Sequence, residues 1–455
     1  MGLLLDVETR AARLVARLSR AAGRGGGTTL PGKLLWKLDP GAIDALAARL
    51  PRGAAIVSAT NGKTTTTAMA AEILSPAYAL AWNRSGANLA SGVASTLLSA
   101  PGAELGLLEV DEFALPEVVR RVRPRVIVLG NLFRDQLDRY GELEHITERW
   151  AAATKALPAG TVLAVNGDDP LVAGLAGDRP GALRFGVDDP AVARPRLQHA
   201  ADSKYCVRCG SPYHYRAVYL AHLGDYACPS CGHARPALDV AARGIELHGL
   251  EGTSFELCTP AETRQVRLSV PGLYNVYNAI AAAAAALGVG ARVDDVAEGL
   301  ERFTAAFGRF ERITAGDRTI LTMLVKNPAG ANEAVRTLEE GGIPETVVVA
   351  LNDAIADGRD VSWIWDVDFE PLLAGSGRVV ASGERAAELA LRFAYAGFDR
   401  GRLDVIPDLE QALDRGLALV PPRGELVILP TYTAMLELRA IAARRGLVRP
   451  YWEAA

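Results

Sequence analysis

Two successive α/β units, each built on a parallel sheet covered by helices, are what this sequence predicts. Three observations carry that expectation. The chain has 455 residues, more than one hydrophobic core ordinarily organises, so two or three domains are expected. Short apolar runs alternate with helical patterns across 54–165 and again across 318–429, the rhythm of parallel sheets with crossover helices. Between the two series, at about 200–236, the rhythm gives way to a stretch rich in Cys, Gly, His, Tyr and Pro. That stretch reads as an inserted module.

The elements follow in order. Residues 1–50 read as helical, broken by a glycine-rich turn at 23–27. Within them, 1–20 spaces arginines and acids through leucine and alanine. That is an amphipathic helix and not a signal peptide. Strands are expected at 54–58, 105–110, 125–129 and 161–165, with helices at 64–74, 116–122 and 143–157. After the module come alternating strands at 244–257 and 265–270 and an alanine-rich helix at 275–287. The second series has strands at 319–325, 345–351, 378–382 and 426–429, with helices at 331–339 and 383–395. The expected units are a helical segment 1–50, a central nucleotide-binding domain 51–315 and a smaller Rossmann-like α/β domain 316–455.

Composition narrows the function. Hydrophobic residues make up 49% and charged residues 22%, a globular profile. A net charge of -4 argues against nucleic acid as a partner. The longest apolar run, 279–289, is too short to span a bilayer. A cytoplasmic protein is expected, with the arginines and leucines of 1–20 as a peripheral contact for the inner face of the membrane or, more simply, a packed helix.

The strand at 54–58 runs into Ala59-Thr60-Asn61-Gly62-Lys63-Thr64-Thr65, followed by a helix. Strand, glycine loop and helix form the setting of a phosphate-binding loop. Gly62 lets the backbone approach a phosphate. Lys63 offers a mobile cation. The Thr64 hydroxyl suits Mg²⁺, and the helix N-terminus favours an anion. The standard motif has glycine where Val57 stands. The plain alternative is a threonine-capped turn, which gives Lys63 no purpose.

Four of the five cysteines form two C-x-x-C pairs, Cys206/Cys209 and Cys228/Cys231. Gly210 and Gly232 directly follow them and permit the turns. Two such knuckles complete a tetrahedral Zn²⁺ site, structural because all four ligands are protein. A redox pair and an iron–sulfur cluster are the rival readings. Cys258 reads as a packed core thiol without a nucleophile elbow. His214, His222 and His233 read as ordinary loop residues, since four sulfurs already fill the site.

The T-N-G-K-T loop after a buried strand resembles the Mur ligase family, which includes folylpolyglutamate synthetase and cyanophycin synthetase. Further residues match in order. Glu109, at the end of Leu107-Leu108-Glu109, resembles the family's Mg²⁺-binding glutamate, with Asp111 and Glu112 beside it. Asn275 and Asn278 resemble the paired asparagines that touch nucleotide. Arg309, in Gly308-Arg309-Phe310-Glu311, resembles the arginine that closes the central domain, and Lys326 the lysine that reaches the phosphate. Two positions depart from the pattern. Ala59 replaces the usual glycine, and Leu324-Val325 stands where an aspartate commonly contacts ribose.

One branch of the family supplies the synthetase subunit of lipid II isoglutaminyl synthase, and the chain is similar to it in three ways. It begins too close to the loop to hold the usual UDP-binding domain. It carries a four-cysteine ribbon in the central domain. Residues 351–366 resemble that branch's A-D-G-x-D-V-S-W-I-W-D signature. The resemblance implies ATP, Mg²⁺ and structural Zn²⁺. It implies phosphorylation of the α-carboxylate of D-glutamate in the lipid II stem peptide, then attack by ammonia to give D-isoglutamine. It implies a separate GatD-type glutamine amidotransferase subunit, whose Cys and His dyad is approached by an aspartate of this chain. Asp360 is the first choice for that role and Asp357 the second, against the alternative that both only shape a turn and a cap. Trp363 and Trp365 read as strand core or as interface anchors. The alternatives are another Mur-type amino-acid ligase, such as folylpolyglutamate synthetase, or a zinc-ribbon binding module on an NTP-sensing domain.

Overall fold

The computed structural model describes residues 30–39, 41–83, 87–135, 143–198, 201–305 and 310–449. The expected helix over 1–20, the turn at 23–27 and the Gly308-Arg309 segment lie outside the described residues.

Nine strands form the first sheet. They are β1 (Ala54–Ser58), β2 (Leu80–Trp82), β3 (Leu105–Glu109), β4 (Val126–Leu129), β5 (Val162–Asn166), β6 (Leu183–Val187), β9 (Val240–Leu247), β10 (Thr253–Cys258) and β11 (Thr263–Leu268), with β7 (His214–Leu220) and β8 (Leu223–Ala227) forming a separate hairpin between β6 and β9. Their spatial order is β11-β10-β9-β6-β5-β4-β1-β3-β2. Every pair from β2 to β9 is parallel, and β10 and β11 add an antiparallel edge. β1 lies between β3 and β4, so the chain turns to opposite sides of β1 as it continues. In parallel sheets, the crevice at the C-terminal end of such a strand is where ligands bind.

Both faces of this sheet are covered. Ala55 and Val57 pack into a cluster with Met69 and with Ala279 to Ala286 of the helix Leu273–Val289. Their neighbours Ala54 and Ile56 point the other way, against Leu35, Val93, Leu97 and Trp150. The alternation follows from the two-residue period of a strand. The Leu273–Val289 helix is apolar all round and buried, as expected of a helix inside a core.

The second sheet takes β12 (Glu311–Ala315), β13 (Arg318–Thr322), β14 (Thr346–Ala350), β15 (Arg378–Ser382), β16 (Leu403–Ile406) and β17 (Glu425–Pro430), in the order β12-β13-β17-β14-β15-β16. All pairs except β12–β13 are parallel. One expectation is corrected here. The boundary expected between 315 and 316 falls inside the β12–β13 hairpin, where Ala315 pairs with Arg318. Gly316, with φ +65°, is a hairpin-turn residue and not a linker. The passage from one sheet to the other precedes Glu311.

The inserted module is a hairpin reached after β6 and left before β9, two strands that pair directly. Among the described residues no helix is long and apolar enough to cross a membrane.

Candidate functional site

The loop after β1 reaches the sheet's crevice. Gly62 has φ +85° and caps the helix Lys63–Leu74, a conformation glycine adopts without strain. A methyl group there would lie 2.0 Å from Asn278 Oδ1, so Asn278 sits directly on the loop. Ala59 also has a reason. A Cβ at Gly130 would come within 2.8 Å of the Ala59 Cβ, so the glycine after β4 makes room for the alanine of the loop. Ala59 is not among the positive-φ residues, so alanine imposes no backbone strain there.

Three asparagines hold the loop. Thr60 N–H donates to the Asn131 carbonyl at 2.8 Å, and Asn61 N–H donates to Asn131 Oδ1 at 2.8 Å. The Asn61 and Asn327 side-chain amides bond reciprocally at 3.1 and 2.9 Å. Asn327 belongs to the second unit, so the loop is braced from both sides of the cleft.

Two lysines from the two units meet over it. Lys63 Nζ lies 3.3 Å from the Thr60 carbonyl, and Lys326 Nζ 3.0 Å from the same oxygen. Lys63 also donates to the Ala59 carbonyl. Each lysine has a carboxylate partner, Glu112 at 2.7 Å from Lys63 and Asp135 at 2.5 Å from Lys326. Burial opposes the Lys63 charge, but Glu112, Asp111 and Glu109 outweigh it and hold its pKa above the ordinary value. Burial likewise opposes charge on Glu112, and Lys63 and Lys326 hold it below the usual carboxylate value. The pair is therefore ionised. For Asp135 burial wins and its carboxyl is raised.

Glu109 ends β3 beside the loop. Its Oε1 accepts from Asn88 at 3.2 Å, and Asn83 bonds its backbone on both sides. Among the described residues Glu109 Oε2 and Thr64 Oγ1 are buried with no hydrogen-bond partner. Buried oxygens are seldom left so. An oxygen-seeking divalent cation supplies what both lack, so the residues fit Mg²⁺.

From the loop a cleft of about 970 Å³, its open mouth included, runs between the two units. Asn61, Gly62, Thr65, Asn278 and Lys326 line its loop end, and Val270, Tyr274 and Phe303 line an apolar stretch. Asn275 does not present a free amide. Its Nδ2 donates to the Pro271 carbonyl and its Oδ1 accepts from Asn278.

The cysteine module reaches into this cleft. Leu220 and Leu223, at the tip of the β7–β8 hairpin, form part of its wall. Between them Ala221 takes φ +48° and His222 is fully buried. His222 is therefore no ordinary loop residue. Its Nε2 lies 3.3 Å from Asp169, and its ring packs edge-on against Phe133. Arg336 of the second unit donates to the Tyr219 carbonyl and pins the hairpin from across the cleft.

The four cysteine sulfurs lie within 4.8 Å of one another. The knuckles have matching geometry: Gly210 N–H bonds the Cys206 carbonyl at 2.8 Å and Gly232 N–H the Cys228 carbonyl at 3.0 Å, both glycines at φ +73°. Although burial raises it, the Cys206 thiol is lowered to about 5 by the N–H groups of Arg208 and Cys209 and by Tyr213. A four-sulfur cluster of this size fits Zn²⁺, whose tetrahedral sulfur edges are roughly 3.8 Å. Cys258 sits half-buried in β10, away from the cluster.

The second-unit aspartates stand apart from the cleft, in the segment after β14. Asp357 is buried and tied to Thr433 through its backbone N–H and hydroxyl. Burial pushes its carboxyl up. Asp360 is exposed and accepts only locally, from Ser362 N–H at 2.9 Å, which holds its pKa below the usual value. Trp363 and Trp365 lie on the short 3-10 helix Ser362–Asp366, so the strand-core reading fails. Trp365 is 46% exposed and packs edge-on against Tyr395, which is 76% exposed.

The structure thus gathers Thr60, Asn61, Gly62, Lys63, Thr64, Thr65, Glu109, Asn278 and Lys326 around the loop after β1 and the cleft that runs from it, and leaves Asp357 and Asp360 elsewhere. Arg309 lies outside the described residues. Sequence reasoning missed Asn131, Asp135 and Asn327. The strand-end position of Asn131 was the one available signal.

Residues 57–226 match the Mur ligase middle domain, and residues 324–435 match the MurT ligase C-terminal domain. The MurT subunit of lipid II isoglutaminyl synthase (glutamine-hydrolyzing) from Streptococcus pneumoniae is 34% identical over 93% of this chain and 94% of its own length. The subunit of the same name from Staphylococcus aureus is 31% identical over the same shares. Among solved structures, a pseudomurein peptide ligase type C from Methanothermus fervidus superposes with a TM-score of 0.69 at 23% identity, over 88% of this chain and 80% of that one. MurF ligase from Thermotoga maritima, in complex with ADP, gives 0.62 at 16% identity, over 90% and 84%.

Proposed function

The chain belongs to the MurT branch of the Mur ligases, and from that premise we propose that it amidates the D-glutamate α-carboxylate of the lipid II stem peptide, using ATP. It is an ATP-dependent ligase with a Mur-type central domain and C-terminal domain. The observation that carries the proposal is the meeting of Lys63 and Lys326 at the Thr60 carbonyl, beside the partnerless oxygens of Thr64 and Glu109.

A carboxylate is a poor electrophile, so it needs activation before an amine can replace its oxygen. In the proposed reaction the γ-phosphoryl group passes to the carboxylate, and ammonia then displaces phosphate from the acyl phosphate. Lys63 binds the phosphates from the central domain and Lys326 from the C-terminal domain, exchanging Glu112 and Asp135 for phosphate oxygens. Both offset the charge that spreads over the transferred group. The first N–H groups of the helix Lys63–Leu74 have no partner within the helix and point at the same place. Thr64 and Glu109 would hold Mg²⁺, which would supply positive charge to offset that of the phosphates. Arg309 is proposed to close on the nucleotide from the end of the central domain. The four cysteines would hold a structural Zn²⁺ that keeps the hairpin folded.

Free ammonia is scarce at neutral pH. The relatives' designation as a subunit of a glutamine-hydrolysing synthase supports a glutaminase partner of the GatD type. Asp360 is proposed to orient the partner's catalytic histidine, since it is exposed and ionised. Asp357 is the weaker candidate because its oxygens already serve Thr433. The exposed Trp365 and Tyr395 belong to the same unit and suit a partner surface. The cytoplasmic face of the membrane is where lipid II would meet the enzyme.

ADP release with lipid II, with and without glutamine and the co-expressed partner, tests this reading. Release that needs lipid II supports it. Release with folate and glutamate, but none with lipid II, refutes it.

A further inference from the structure

We infer that Glu333 recognises the two sugar hydroxyls of the bound nucleotide and so sets the site's preference for a ribonucleotide. The inference rests on the reading of the cleft as the nucleotide site.

Glu333 lies in the helix Pro328–Gly341, is 2% exposed and lines the cleft. Among the described residues neither of its carboxylate oxygens has a hydrogen-bond partner. The closest ion pair is loose, with Arg194 Nη2 3.8 Å from Oε1. Burial raises its pKa, and the pull of Arg336 and Arg194 does not cancel that rise. A buried carboxylate with two unmet acceptors is costly to keep. Among the described residues that line the cleft it is the only acid. Something that enters the cleft with hydrogen-bond donors would satisfy it.

Position along the helix says which part of a nucleotide that is. The first turn of this helix touches the phosphate loop, through Asn327 on Asn61 and through Gly330, whose Cβ position is 3.7 Å from Asn61 Nδ2. Glu333 follows Gly330 by three residues. It lies on the same face, one turn or roughly 5 Å farther from the loop. The apolar stretch of Leu220, Leu223, Val270, Tyr274 and Phe303 offers the remaining wall. With phosphates at Lys63 and the base among those apolar side chains, the sugar falls beside Glu333. Two vicinal hydroxyls bring two donors, and an ionised carboxylate brings two acceptors. The edge of a guanine also brings two donors, and comparison of ATP with GTP separates that outcome from this one. Leu324 and Val325, just before Lys326, offer no acid for the sugar.

Binding of ATP, 2′-deoxy-ATP, 3′-deoxy-ATP and GTP to the full chain, by calorimetry, tests the assignment. The intact chain is expected to bind ATP on the order of tenfold more tightly than either deoxy analogue, the worth of a hydrogen bond to a charged group. Glu333→Ala is expected to lose that preference, its ATP affinity falling to the level of the analogues. Glu333→Gln keeps the shape with one acceptor and should narrow the preference, which guards against a folding defect in the alanine variant. Equal binding of ATP and the deoxy analogues by the intact chain overturns the inference. So does a preference that survives in Glu333→Ala, or a variant that changes only the choice between ATP and GTP. Failure of the intact chain to bind any nucleotide, or ATP binding indifferent to Lys63→Ala, overturns the underlying reading of the site instead.

Discussion

Replacing Lys63 with methionine separates what this residue does for the fold from what it does for the reaction. Its ammonium group is buried against Glu112 at 2.7 Å, with side-chain exposures of 8% and 6%. Lys63→Met keeps most of the volume and removes the cation. The carboxylate left behind is buried, and breaking such a pair costs about 3–5 kcal/mol. Lys326 still attracts Glu112, so the lower end, about 3 kcal/mol, is expected. The double variant Lys63→Met/Glu112→Gln removes the stranded charge and should recover most of that loss. Neither variant should recover ADP release, because a cation on the transferred group contributes on the order of 10²–10³ in rate. Urea melts followed in parallel with lipid II-dependent ADP release give both readouts. Full turnover by Lys63→Met, or activity regained in the double variant, refutes the role assigned to Lys63.

Three other outcomes follow from the geometry. Metal analysis should find about one Zn²⁺ per chain, and Cys209→Ser should lower both the metal content and the melting temperature; since Leu220 and Leu223 wall the cleft, ATP affinity should fall as well. Asp360→Asn should cut glutamine-dependent amidation and spare activity with added ammonium, whereas equal loss of both would move Asp360 into the ligase site. His222→Gln should show a pH signature. Burial lowers the His222 pKa, but Asp169 outweighs it and leaves the folded value raised above the ordinary 6.5. The pair's stabilisation is therefore complete below the unfolded value and fades as pH rises through the folded one. The variant's deficit, on the order of 1–3 kcal/mol, should be largest near pH 6 and shrink in alkaline buffer; a deficit that grows with pH would contradict the assignment.

The parts legible in the sequence were those whose signal is local. The strand, glycine loop and helix around Lys63 lie within 54–74, and the cysteine knuckles announce themselves by spacing. Glu109 and Lys326 came from matching motifs whose order along the chain is preserved. The helix Ala90–Ser99 escaped notice because its Ser, Gly and Ala residues carry little helical signal. It forms because Gly32 and Gly92 allow close approach, a Cβ at either meeting a carbonyl oxygen at 1.9 Å. Asn327 and Asp135 were invisible for another reason. Each is an isolated polar residue whose meaning comes from what the fold sets beside it. Gly316 misled because a hairpin glycine and a linker glycine look alike until the strands pair. The different settings of Asp357 and Asp360 likewise needed the Thr433 contact, which joins residues far apart in the chain.

Amidation changes one functional group, and mass spectrometry reads that change directly. Lipid II is incubated with the full chain, Mg·ATP and isotope-labelled ammonium, without any partner. One labelled nitrogen is expected on the D-glutamate α-carboxyl carbon, formed with one ADP per amide and absent with Lys63→Met. Lipid II recovered as the free acid while ATP is consumed, or label incorporated without ATP, would contradict the proposed amidation.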